Sequence, residues 1–171
     1  MLTMPPLSEN NRIKLAELLA IGLPSESAKI IAEQRKQIKN PDNLRRFDFI
    51  ADALSPDTRV RDRFFTSLAD VRQRATENWV LDALDYLHHP TRVMQSQRYV
   101  LPSLELLEEI QITGDIFFPA GWVNQTLENH RSPSVVDTVK NFLEQRPDYN
   151  PQLRMKILQA ADMATRASRY H

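Results

Sequence analysis

The sequence predicts an all-helical fold with no sheet, and three observations carry that prediction. Glycine occurs only three times in 171 residues, at Gly22, Gly114 and Gly121, where an average usage of about 7% would give about 12. Sheets lean on glycine for positive-φ turns and close backbone approach, so its scarcity disfavours hairpins. Eleven prolines stand against those three glycines. Asn40-Pro41, Ser55-Pro56, Ser132-Pro133 and Asn150-Pro151 each place a capping side chain before a proline. The cap oxygen accepts an orphan backbone N–H, and proline has none to lose at the first helical position. Third, apolar residues recur at helical spacing along most of the chain.

The elements follow in order. Ile13, Ala16, Leu19 and Ala20 line a first helix that ends near Gly22. Ile30, Ile31 and Ile38 belong to a second, whose outer face carries Glu33, Arg35, Lys36 and Lys39. Leu44, Phe47, Ile50, Ala51 and Leu54 make the clearest stripe, and Val60, Phe64, Phe65 and Leu68 follow it. Thr76 is placed to cap a helix carrying Val80, Ala83, Leu84 and Leu87. Leu104, Leu107 and Ile110 sit on a helix from about Ser96 to Ile112, which Pro102 is expected to kink. Ile116-Phe117-Phe118 is extended at most, since Pro119 follows it. Val135, Val139, Phe142 and Leu143 mark the next helix, and Leu153, Ile157, Ala160 and Ala164 the last.

Connections are short except at Asp70–Ala75 and Thr113–Phe118, which makes sequential helices antiparallel neighbours. Pro24, Pro56, Pro90 and Pro133 stand 32, 34 and 43 residues apart, the spacing of helix pairs but without a fixed period. The expectation is one domain over residues 1–171, an irregular HEAT-like α-solenoid of antiparallel helix pairs.

Composition removes several function classes. The chain has 22 basic and 22 acidic side chains, whereas nucleic-acid binders carry a basic excess to neutralise phosphates. There is no cysteine, hence no disulfide, thiolate nucleophile or cysteine-ligated zinc. No apolar run approaches the roughly 18 to 20 residues that span a bilayer. Residues Met1–Pro6 show no charged and apolar signal pattern. A soluble protein without a nucleic-acid partner or a membrane span is expected, its compartment left open.

Catalytic motifs are missing as well. A zinc peptidase needs His-Glu-x-x-His on one helix face. Of His88, His89, His130 and His171, none precedes a glutamate, and adjacent His88 and His89 point to different faces. Asp85 and His89 share a face four residues apart, but a histidine in a last turn serves the helix dipole, so no metal ligand is assigned. Neither Gly-x-Ser-x-Gly nor a glycine-rich phosphate loop occurs. Asn124-Gln125-Thr126 is a formal glycosylation sequon within a helical stretch. Glu105, Glu108 and Glu109 read as the wet face opposite Leu104, Leu107 and Ile110.

Two groups of side chains stand out from this background. Arg59, Arg61, Arg63, Arg72 and Arg74, with Arg92 and Arg98, include candidates for receiving a carboxylate; most are expected to be solvated beside Asp57, Asp62 and Asp70. Trp79, Phe117, Phe118 and Trp122 are core aromatics, or, where exposed, a docking surface for another domain.

One resemblance adds to this reading. His88-His89-Pro90, the run Ser103-Leu104-Glu105-Leu106-Leu107-Glu108-Glu109-Ile110-Gln111, and Thr113-Gly114-Asp115-Ile116-Phe117-Phe118-Pro119 with Trp122 resemble the C-terminal helical domain of bacterial zinc aminopeptidases of the membrane alanyl aminopeptidase family. Val139, Phe142-Leu143, Arg146-Pro147-Asp148-Tyr149 and Lys156 to Asp162 look like the end of that domain. Leu7 to Asn11 and Trp79-Val80-Leu81 agree, so the resemblance covers nearly the whole chain.

The resemblance implies a catalytic domain on the same polypeptide that carries zinc and recognises a peptide's free N-terminus. The helical domain then walls the active-site chamber and restricts peptide access. No catalytic or zinc-ligand residue carries over, because no position here matches those motifs. Arg98 first and Arg92 second are the candidates to meet a peptide's distal carboxylate, arginine's planar fork being suited to both oxygens. The alternative is a stand-alone helical adaptor that binds another protein on a concave face.

Overall fold

The computed structural model describes residues 7–168. Met1–Pro6, with their expected lack of a signal pattern, and His171 lie outside the described residues. Among the described residues there is no strand, and helices make up most of the chain. It divides into two compact units, with the boundary between Phe64 and Phe65.

The first unit holds α1 (Glu9–Gly22), α2 (Ser27–Gln37), α3 (Pro41–Leu54) and most of α4 (Thr58–Ser67). Ser8 caps α1 by accepting the Asn11 N–H at 3.2 Å. Asn40 caps α3 as expected, its Oδ1 taking the Asp42 and Asn43 N–H groups with Pro41 behind it. The three helices α1, α2 and α3 pack on one another around Ile13, Ile38 and Phe47. Ser55-Pro56 does not open α4. Ser55 ends α3, and Asp57 supplies the cap by accepting the Arg59 N–H at 2.8 Å.

In the second unit a 3-10 turn, Val71–Arg74, leads to α5 (Glu77–Leu87). Another, Pro90–Arg92, leads to α6 (Val93–Ser96) and a third, Gln97–Tyr99. Then come α7 (Val100–Glu105), α8 (Leu107–Thr113), α9 (Phe118–Leu127), α10 (Pro133–Glu144), α11 (Pro151–Ala160) and α12 (Asp162–Ser168). Asn150 caps α11 through Oδ1, whereas Ser132 precedes α10 without a side-chain cap bond. Thr76 likewise holds the cap position of α5 without bonding.

Two expectations fail here for local reasons. The stretch expected to be one helix kinked at Pro102 is broken instead at Gln97–Tyr99 and at Leu106. Pro102 falls in the first turn of α7, where an N–H has no intrahelical partner and its loss costs little. Nor is Ile116-Phe117-Phe118 an extended run. Phe118 opens α9 with Pro119 in its first turn, so that proline starts a helix and does not end a strand.

Helix α9 is the centre of the second unit. It packs against α5, α7, α8 and α11, and Phe118, Trp122, Val123, Thr126 and Leu127 are all buried. Its buried positions recur at helical spacing opposite exposed Asn124, but Pro119 and Gly121 near its start read as breakers in sequence and obscure it. The Trp122 indole N–H donates to the Ser103 carbonyl at 3.1 Å, which keeps its one polar atom satisfied in the core.

Candidate functional site

The four singled-out aromatics separate cleanly. Phe118 and Trp122 are buried, with ring centroids 6.0 Å apart edge to face, and Trp79 is half-buried. Phe117 is 79% exposed, and it stands with Ile112 at 84% and Ile116 at 78%. Three large apolar side chains within six residues are therefore in solvent. Burying each would be worth roughly 1.5 to 3 kcal/mol, so among the described residues the end of α8 and the turn after it form a conspicuous exposed apolar segment.

Beside it lies a groove of about 530 Å³, lined by Ala75, Glu77, Leu81, Asp115, Phe117 and Phe118 among others. Glu77 Oε1 accepts the Asp115 N–H at 2.7 Å, and Asp115 Oδ1 accepts the Phe117 N–H at 2.8 Å. These bonds tie the start of α5 to the turn before α9. Sequence reading placed Phe117 here as a docking candidate but gave Glu77 and Asp115 no part, since 38 residues separate them.

The candidate arginines stand in different settings. Arg98 is exposed and donates Nε–H to the Gln95 carbonyl at 3.0 Å, whereas Arg92 is buried. Arg61 and Arg74 are not solvated as expected. Arg61 is buried and donates to the Ser55 carbonyl and the Thr58 hydroxyl. Arg74 is buried and meets the Glu109 carboxylate and the Leu68 carbonyl, so Glu109 is not simply a wet-face charge. Arg72 does behave as expected, forking onto Asp70 at the surface and holding that carboxyl at about 2.

The histidines give the least expected arrangement. His89 turns outward and its Nδ1 lies 2.9 Å from the Thr91 hydroxyl. His88 turns inward, and its Nδ1 lies 2.9 Å from Nε2 of His130. Desolvation pushes His88 down to about 3 and His130 to about 4, each aided by a nearby positive or imidazole group. Both rings are therefore neutral at pH 7. Each extends an apolar stripe, His88 one turn after Leu84 and His130 after Leu127, and that was the legible signal.

The first unit holds a comparable surprise in Glu17, which is fully buried and accepts from Arg46 Nη1 at 2.6 Å. It lies four residues after Ile13 on the buried face of α1, so its position was also legible. Near it Glu9 accepts from Asn43 and from the Lys39 and Asn40 N–H groups, which lowers its carboxyl.

Among the described residues no group of three or more His, Asp or Glu side chains is placed to hold a metal ion. Among the same residues no helix is long and apolar enough to cross a membrane. Compared with family models, curated proteins and solved structures, the chain matches none.

Proposed function

We propose that the chain is the noncatalytic C-terminal helical domain of a zinc aminopeptidase, walling its active-site chamber and controlling peptide access. The single observation behind the reading is the exposed Ile112–Ile116–Phe117 segment, of which Ile116 and Phe117 fall within a run that carries the resemblance and Ile112 directly precedes it. Such a segment is what a domain docked onto another would present. Zinc belongs in this reading to the catalytic domain of the same polypeptide, and this chain supplies no ligand to it. The helices would continue as an irregular solenoid of antiparallel pairs, and Arg98, with Arg92 second, would face the peptide's far carboxylate. The complete reading frame tests this: an upstream His-Glu-x-x-His supports it, and a frame without one sinks it.

A second reading, a stand-alone helical adaptor, is favoured by a different surface. Leu15, Leu18, Leu19 and Leu23 of the α1 region are each more than 40% exposed, although Ile13, Ala16 and Ala20 already fill that helix's buried face. A helix apolar on both faces asks for a second covering. If the reading frame lacks the zinc motif, this surface becomes the one to probe.

A further inference from the structure

Two of the chain's three glycines serve one groove. A Cβ on Gly114 would stand 2.7 Å from Phe118 and 3.0 Å from Glu77 Oε1, and one on Gly121 would stand 2.8 Å from Leu81. Glu77, Leu81 and Phe118 all line the groove beside the exposed Phe117. The missing Cβ atoms let Phe118, Glu77 and Leu81 close onto the backbone there, most tightly at Gly114, where the Ile110 carbonyl also stands within 2.9 Å. Apolar surface from Leu81, Phe117 and Phe118 alternates there with the Glu77 and Asp115 carboxylates, and no lysine, arginine or histidine lines it among the described residues.

Charge decides what such a groove accepts. The amino end of α5 contributes about half a positive charge, while the two carboxylates contribute two full negative ones. The sum repels anions and attracts a cation. Phe117 adds an open ring face, which attracts a cation by its quadrupole, and Ile116 offers apolar surface to whatever flanks it. Arginine meets all of these terms better than lysine, because its planar fork pairs with carboxylates and stacks on rings.

We propose that this groove docks a basic segment of a partner protein, an arginine taken by Glu77 and Asp115 with Phe117 as its aromatic shelf. The proposal shares Ile116 and Phe117 with the aminopeptidase reading but asks for an arginine and not for a peptidase, so the peptide titration and the reading-frame test fail separately.

The probe is the capped peptide acetyl-Leu-Arg-Leu-amide, titrated into 15N-labelled protein and followed by amide shifts. The expected result is saturable shifts at Asn78, Leu81, Gly114 and Phe117, weakened by added salt. Replacing arginine by neutral citrulline should weaken binding about ten-fold. Glu77→Gln and Asp115→Asn keep the acceptors that hold the turn, and each should weaken binding about five- to ten-fold. Phe117→Ala removes an exposed ring and should weaken it about three-fold. Should either carboxamide variant misfold, the exposed Phe117→Ala change still decides, because unaltered binding there overturns the proposal. Equal binding of the citrulline peptide overturns it too. So do shifts confined to the α1 leucines, or groove shifts that depend on protein concentration without peptide, which would make a second copy the occupant.

Discussion

His88 Nδ1 and His130 Nε2 lie 2.9 Å apart in the core of the second unit, joined across 42 residues of sequence. One proton serves that bond, so one ring donates and the other accepts. The outer nitrogens, His88 Nε2 and His130 Nδ1, meet no protein hydrogen-bond partner. In either tautomer arrangement one N–H and one lone pair therefore face the interior without a protein partner. Charging either ring there would be costly, and this links the pair to pH.

Stability is expected to fall as pH drops below about 6.5. In the unfolded chain both imidazoles titrate near 6.5, whereas in the folded chain burial lowers them to about 3 and about 4. Between those limits the unfolded state binds more protons, so acid favours it. Each ring contributes about 1.4 kcal/mol per pH unit, so the pair should remove about 2 to 3 kcal/mol at pH 5.5. Urea unfolding at pH 7.5 and 5.5 measures this, and His88→Gln with His130→Gln should flatten the slope. Equal stability at the two pH values in the native sequence would mean that the rings are hydrated.

Breaking the Glu17–Arg46 pair should be costlier from one side than from the other. Glu17 is fully buried, while the Arg46 side chain keeps 23% of its exposure. Arg46→Ala takes the guanidinium away from a fully buried carboxylate and should cost about 3 to 5 kcal/mol. Glu17→Ala leaves a guanidinium with access to water, and should cost less. Replacing both, Glu17→Leu with Arg46→Met, should recover much of the loss, since apolar packing can replace a buried pair. Urea midpoints of the three variants test the order, and a double variant worse than Arg46→Ala would reverse the argument.

The three glycines should respond differently to alanine. No glycine has a positive φ, so only space distinguishes them. Gly22 has nothing within 4 Å of a new Cβ, and Gly22→Ala should stabilise by about 0.4 to 1 kcal/mol through the unfolded chain's lost freedom. At Gly114 a Cβ would press on the Ile110 carbonyl at 2.9 Å as well as on Phe118. Backbone cannot swing aside, so Gly114→Ala should cost about 1 to 3 kcal/mol. Gly121→Ala meets only the movable end of Leu81 and should fall between the two. Thermal melts of the three variants rank them directly.

What the sequence shows and what it hides follow from how each feature is encoded. Caps are local, so Asn40-Pro41 and Asn150-Pro151 could be read from adjacent residues. Ser55-Pro56 misled because Asp57, two residues on, offered a better-placed acceptor. Helix α9 is obscured because Pro119 and Gly121 near its start read as breakers, although Phe118, Trp122, Val123 and Leu127 recur at helical spacing. Of the candidate site, Phe117 is legible as an aromatic docking candidate, but its neighbours Glu77 and Asp115 come together from distant segments. The same holds for His88 with His130 and for Arg74 with Glu109. Pairings across 35 to 42 residues depend on the packing of whole helices, which no short motif states.

The chamber-wall reading also makes a prediction about Arg98 and Arg92 that separates kinetics from folding. Arg98 is exposed at the 3-10 turn before α7, with its Nε–H on the Gln95 carbonyl. A peptide carboxylate can reach an arginine so placed. Arg92 is buried, so its loss should first disturb the turn between α5 and α6. In a full-length enzyme, Arg98→Ala should lower kcat/KM for free-acid peptides and spare C-terminally amidated peptides and single-residue reporters. A contact to a charged group is worth roughly 1.5 to 3 kcal/mol, so the loss should be about 10- to 100-fold. Arg92→Ala should instead lower the melting temperature and affect all three substrates alike. If Arg98→Ala also acts equally on all three, the carboxylate role fails, and the residue supports the turn or the docking of the domain.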